Sequence, residues 1–280
     1  MKTDLSKYHR RPEGPGLLFS EDMTCAALRV EVLGGSGSLE LDGRSTTLVV
    51  IDGSGRFLGE DLVVEDMVFV PAGRRGSEEY DFSGRALLVR FAAAGDEPEP
   101  IRGHVVVRMG QALGYVRTQY RGGVHGWGAA AREFNPKGIV YTDKLWGISR
   151  DVLAQELVMP AGHCVPVHSH GDVGGEPTGE DFWQVYYVWE GSALVQMGSS
   201  LDDIAEIEIR PDSVLVYPNG VAHNVVAGEK GCRYLFLERR RPGGNVNLFL
   251  DEEKDYERLL TLRGGMSLED FLRAESARNK

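Results

Sequence analysis

Cysteine is scarce. Cys25, Cys164 and Cys232 are the only three, too few and too scattered for a disulfide framework or a thiolate zinc centre. Reduced thiols in a cytosolic protein are the expected state. Long apolar runs are missing as well: none approaches the roughly 18 residues a membrane helix needs. The opening segment, Met1–Gly14, lacks the apolar core of a signal peptide. Basic charge is in deficit, with 31 Lys and Arg against 42 Asp and Glu for a formal net charge of −11. No basic stripe offers a nucleic-acid footprint. These absences predict a cytoplasmic chain whose partner is a small molecule, not nucleic acid or a membrane.

Helical periodicity is also sparse. Asp251–Leu260 is one helical stretch, and Ser267-Leu-Glu-Asp270 before Phe271 and Leu272 reads as an N-cap opening a second. What dominates is short β-branched and aromatic segments between turn residues, with 36 glycines in 280 residues. Examples are Ala27–Leu33, Thr47–Ile51, Asp61–Val64, Met67–Val70 and Ala86–Phe91, then Val152–Met159, Phe182–Trp189, Ala193–Met197, Ala205–Ile209, Val214–Tyr217 and Tyr234–Leu237. Such punctuation predicts antiparallel strands in an all-β sandwich or barrel.

The pattern occurs twice. Ile51-Asp52-Gly53-Ser54 leads to Glu65-Asp66 and Pro71-Ala72-Gly73, while Trp189-Glu190-Gly191-Ser192 leads to Asp212-Ser213 and Pro218-Asn219-Gly220. The glycines are offset by 138 positions and the prolines by 147. Two copies of one β-barrel module fit the length, a first over 1–115 and a second over 116–280 with a helical tail. Asp96–Pro100 reads as an exposed linker, and the glycine-rich stretch around His125 reads as a loop.

Histidines are uneven. None lies between His9 and His104, yet His163, His168, His170 and His223 all fall in the second copy. In an extended segment His168 and His170 share a face, because side chains two apart point the same way. Two neutral imidazoles on one face can hold one metal. A satisfied polar core without metal is the alternative.

At this point the chain resembles the cupin superfamily. The resemblance rests on Gly162, five residues, His168-Ser-His170, then Gln184, six residues and Gly191. It continues with Asp212, five residues, Pro218-Asn-Gly220, two residues and His223. It covers about 152–239 strongly, with three of the four ligand positions matched, and 26–91 as a degenerate copy. It implies two antiparallel jelly-roll barrels and one divalent transition metal (Zn, Mn, Ni or Fe) on His168, His170, Gln184 and His223. The first copy has no His-x-His, Thr46 at the acid position and Gly76 at the histidine position. Its expected role is therefore structural or accessory.

Three departures shape the functional expectation. Thirteen residues separate His170 from Gln184, Asp212 replaces the glycine of the second motif, and Gln184 replaces the usual acid. A neutral ligand favours Lewis-acid chemistry over oxygen activation. The layout is most similar to 5-deoxy-glucuronate and 5-keto-4-deoxyuronate isomerases, which implies enediolate isomerisation of a small sugar or sugar acid. A non-haem iron dioxygenase and a non-catalytic ligand-binding barrel are the alternatives. Glu180, Asp181 and Tyr186 are the candidate catalytic groups. The acids serve equally well as a solvated loop and Tyr186 as barrel filling. Arg239-Arg240-Arg241 reads as a solvated strand end. Val185, Tyr187 and Trp189 form an outward aromatic face that a homodimer partner or the first barrel would cover.

Overall fold

The computed structural model describes residues 5–20, 28–92, 103–108, 115–118, 140–147, 152–159, 161, 164–171, 183–198, 204–218, 221–239 and 246–249. Among the described residues the chain is β throughout, apart from one 3-10 turn at Leu5–Tyr8. Its strands are β1 (His9–Arg10), β2 (Gly16–Phe19), β3 (Leu28–Asp42), β4 (Ser45–Asp52), β5 (Ser54–Phe57), β6 (Glu60–Val63), β7 (Met67–Val70), β8 (Arg75–Phe91) and β9 (Val105–Val107). They continue with β10 (Tyr115–Thr118), β11 (Val140–Gly147), β12 (Val152–Met159), β13 (Cys164–Gly171), β14 (Trp183–Gly198), β15 (Ile204–Ile209), β16 (Val214–Pro218), β17 (Ala222–Arg239) and β18 (Val246–Phe249). The helices expected in 251–280, the linker at 96–100 and the glycine-rich loop around residue 125 lie outside the described residues.

Among the described residues all strand pairings are antiparallel and form two sheets. One runs β2-β3-β8-β4-β7-β9, with β5 on β8 and β6 on β5; the other runs β1-β16-β14-β17-β12-β11-β10, with β13 on β17, β18 on β13 and β15 on β14. The N-terminal strand β1 crosses over to pair with β16, His9 opposite Leu215.

The repeat read from the sequence is visible in backbone detail. Gly53 and Gly191 both have positive φ, 71° and 73°. A side chain at Gly53 would press on the Gly84 backbone, and one at Gly191 on the Gly231 carbonyl. Glu65 and Asp212 correspond in the same way. Both are left-handed, with φ of 74° and 68°. Glu65 N donates to Val50 O and Asp212 N to Val188 O; Val50 N and Val188 N answer by donating to Asp66 O and Ser213 O. Asp212 thus holds the bend where the cupin pattern has glycine, at the modest cost an acidic side chain carries in that region.

Three apolar clusters result. One fills the first barrel, around Leu48, Val50, Phe57, Val68, Phe82 and Leu88. Another fills the second, around Tyr186, Val195, Leu215, Tyr217, Tyr234 and Phe236. The third joins the barrels, with Phe19, Val30, Val49 and Phe69 meeting Trp183, Val185, Tyr187 and Leu235. The outward aromatic face is therefore covered by the first barrel, with Trp189 packed at its margin. The homodimer expectation then rests on residues 251–280 alone, outside the described residues. Arg239 is buried, not the solvated strand end its basic neighbours predict. Strand alternation puts it on the same face as Leu235 and Leu237.

Candidate metal and substrate site in the second barrel

On β14, Trp183, Val185 and Tyr187 face the first barrel, so alternation turns Gln184, Tyr186 and Val188 into the second. Gln184 is register partner of Tyr217 on β16 and of Glu238 on β17. Its Nε2 donates to Glu238 Oε2 at 2.9 Å. The Tyr186 hydroxyl donates to Gln184 Oε1 at 3.5 Å. Gln184 is 2% exposed and Glu238 7%, so the pair is a buried polar contact among the apolar side chains of the barrel.

Aromatic rings surround it. Tyr186 stacks on Tyr234 with centroids 5.0 Å apart and on Phe236 at 5.5 Å. Tyr217 leans on Tyr186 at 4.6 Å and on the His223 imidazole at 4.2 Å. Burial pushes the Tyr186 phenol far up, and the Glu238 charge adds to the rise. Burial also raises the Tyr217 phenol well above its ordinary value, with smaller contributions from Tyr186, Tyr234 and Cys232. Both rings are neutral hydrogen-bond donors at physiological pH. The Tyr217 hydroxyl is buried with no hydrogen-bond partner among the described residues.

His223 is 1% exposed, and its Nδ1 lies 3.0 Å from the Val221 carbonyl oxygen. That contact requires Nδ1 to carry the proton, which leaves the lone pair on Nε2. Metal-bound histidines commonly show this arrangement, with the second ring nitrogen donating to a backbone carbonyl. The β13 backbone brings His168 into register with His223, across a bulge between Val165 and His168, and His170 into register with Asn247 of β18. Gln184, Tyr186 and His223 therefore line the second barrel, and the backbone at His168 is drawn beside His223. Glu180 and Asp181 lie outside the described residues. Among the residues whose side chains are described, no group of three His, Cys, Asp or Glu gathers within metal-binding reach.

Glu238 is the group that sequence reasoning missed. It puts a carboxylate against Gln184, where the motif alone gave a neutral set. In the first barrel the matching register places are Thr46, Val70 and Arg90, with Thr46 opposite both. They carry no imidazole and no carboxylate.

The sequence matches no family model and no curated protein. Solved structures do match. An IolB-like protein from Salmonella typhimurium LT2 superposes with a TM-score of 0.60 at 14% identity, covering 87% of this chain and 97% of its own. A formate complex of oxalate decarboxylase from Lactobacillus farciminis gives 0.52 at 13% identity, covering 96% and 95%. An 11S allergen from Cocos nucifera gives 0.50 at 13%, covering 95% and 96%. The fold is that of the two-barrel cupins. Its relatives by shape include a decarboxylase and an allergen, so the activity must be argued from the site. No helix among the described residues is long and apolar enough to cross a membrane.

Proposed function

We propose that the second barrel holds one divalent transition metal on His168, His170, Gln184 and His223 and isomerises a small sugar or sugar acid. The observation that carries this reading is the 3.0 Å contact of His223 Nδ1 with the Val221 carbonyl oxygen, in which a neutral imidazole donates from Nδ1 and keeps its lone pair on Nε2. A divalent cation bound there would supply Lewis-acid polarisation of a carbonyl and an adjacent hydroxyl. The chain's own groups do the rest. Glu238 takes the amide N–H of Gln184, which turns the Gln184 carbonyl oxygen away from it as the donor end. Tyr217 offers its buried hydroxyl to a substrate oxygen, an exchange that satisfies a donor otherwise left without a partner among the described residues. Tyr186, held as a neutral phenol, gives a proton or hydrogen bond and does not take one. The proton acceptor falls to the Glu180–Asp181 pair. The likeness to an IolB-like protein supports the two-barrel layout of this reading.

Glu238 also favours a second reading. A buried carboxylate beside the ligand set restores the negative charge that oxygen-activating metals need, so a non-haem iron dioxygenase is the runner-up. Elemental analysis of untagged protein, followed by sugar-acid turnover with an oxygen electrode in the cell, separates the two. One ion per chain and isomerisation without oxygen uptake are expected. Oxygen consumed in step with an aromatic substrate, with every sugar acid ignored, would replace the isomerase. No ion even after reconstitution would remove both.

A further inference from the structure

The apolar lining of the second barrel is sealed tightly except in one place. Phe236, Leu153, Leu157 and Tyr186 keep 6–9% of their surface exposed, and every other buried member of that cluster keeps 4% or less. Those four surround a single residue. Leu153 and Leu157 lie two places to either side of Gln155 on β12, and Phe236 is its register partner on β17. Tyr186 of β14 is in turn the partner of Phe236. Val152 and Ala154 face the first barrel, so alternation turns Gln155 into the second with Leu153 and Leu157. Gln155 is 4% exposed, yet its side-chain amide forms no hydrogen bond among the described residues. A buried amide ordinarily has partners.

The first barrel shows the same place closed. Arg90 there corresponds to Glu238, and its register partner Arg29 to Leu153. Glu31, two places on from Arg29, therefore stands where Gln155 stands. Glu31 accepts from Arg90 Nη2 at 2.9 Å, a diagonal contact spanned by a long guanidinium side chain. In the second barrel Glu238 accepts from Gln184 instead, and no hydrogen bond joins it to Gln155. The gap that an ion pair fills in one barrel is left in the other between an amide and two aromatic rings.

We propose that Gln155 is a specificity residue of the second barrel, whose amide hydrogen-bonds a hydroxyl of the bound sugar or sugar acid. The inference rests on the isomerase reading above. An amide suits a hydroxyl because it meets both of its needs: Nε2–H donates to the hydroxyl oxygen, and Oε1 accepts its proton. Phe236 and Tyr186 offer the carbon skeleton an apolar wall. A mostly apolar pocket with a few placed polar groups is the usual form of a small-molecule site. Rejection of substrates without that hydroxyl follows, since they leave the amide unpaired.

D-glucuronate and hexanoate are the probes, two six-carbon monocarboxylates of which only the first carries hydroxyls. Calorimetric titration of the intact chain, purified untagged with its ion, reads both. Gln155→Met keeps the volume and removes the amide. It should weaken glucuronate about three- to tenfold, the loss of a neutral hydrogen bond, and leave hexanoate and the metal content unchanged. Gln155→Asn draws the same amide back by one methylene and should weaken glucuronate as well, which keeps the test open should the Met variant misfold. Circular dichroism checks that each variant is folded. Glucuronate bound by the parent and equally by a folded variant would overturn the role of Gln155 alone. An equal loss for hexanoate would do the same, by making the residue structural. A parent that binds no glucuronate would overturn the sugar reading and this inference with it.

Discussion

Arg85 and Arg233 make the same pair of contacts in opposite directions across the two barrels. Arg85 holds Asp52 of its own barrel and reaches Asp212 of the second at 3.1 Å. Arg233 holds Glu190 of its own barrel at 3.1 Å and reaches Glu65 of the first at 2.7 Å. Asp52 and Glu190 correspond in the repeat, as do Glu65 and Asp212, so the bridges form a reciprocal pair. The two left-handed acids, each fixed by a backbone bend, are the hooks by which each barrel takes hold of the other. Tyr187 strengthens one of them by donating to Asp212 at 2.7 Å.

The two bridges differ in worth. Arg233 also holds Glu156, which is 2% exposed, whereas Asp52 and Asp212 remain partly hydrated. Arg233→Met takes a charged partner from a buried carboxylate and should cost about 3–5 kcal/mol in urea unfolding. Arg85→Met leaves both of its acids near water and should cost about 1 kcal/mol or less. Equal losses would mean that the buried bond of Arg233 to Glu156 is worth no more than the partly hydrated ones of Arg85.

The glycine frame gives a second comparison. Alanine at Gly53 or at Gly191 pays the left-handed cost of about 1–2 kcal/mol. A Cβ at Gly191 would also stand 2.1 Å from the Gly231 carbonyl oxygen, against 2.9 Å from the Gly84 backbone for one at Gly53. Backbone cannot swing aside as a side chain can. Gly191→Ala should therefore lower the melting temperature by several degrees more than Gly53→Ala, as seen in paired calorimetric scans.

Those glycines show what a sequence can reveal. A turn that tolerates no side chain leaves a glycine, and two such turns at a fixed offset exposed the repeat. The inward face of β14 was legible for the same local reason, since Gln184 and Tyr186 alternate with aromatics. Glu238 was not legible. On β17, His223, Val225 and Ala227 line the barrel at odd positions, whereas Cys232, Tyr234 and Phe236 line it at even ones. The phase changes in the bend around Gly228–Gly231, so counting from the histidine points Glu238 outward. The pairing of β1 with β16 was hidden differently. Its partners are some 200 residues apart, and a two-residue strand carries no pattern of its own.

That N-terminal pairing has a pH signature. His9 Nε2 lies 3.0 Å from the Ser213 hydroxyl, and burial, followed by the charges of Arg10 and Arg11, lowers its pKa. A depressed histidine favours the folded state while neutral, so its contribution is present above its unfolded value of about 6.5. It is lost as pH falls through the depressed folded value. Stability measured between pH 7 and pH 5 should drop, and His9→Gln should flatten that slope. An unchanged slope in the variant would assign the loss to other groups.

The last test concerns the charge beside Gln184. If the pair acts as one divided acid, Gln184 gives the oxygen that faces the metal and Glu238 the negative charge behind it. Glu238→Gln keeps an oxygen to accept the Gln184 N–H and removes only the charge. Metal affinity, read by competition with a chromophoric chelator, should fall about 10–100-fold, the usual cost of losing an outer-shell partner. The exchanged variant Gln184→Glu/Glu238→Gln puts the charge on β14, where the cupin pattern has its acid, and should recover most of that loss. His168→Ala is the reference for a removed ligand and should abolish stoichiometric binding. If folded Glu238→Gln holds metal as tightly as the parent, Glu238 merely pins an amide, and the electron-poor site expected from a neutral Gln184 is the better description.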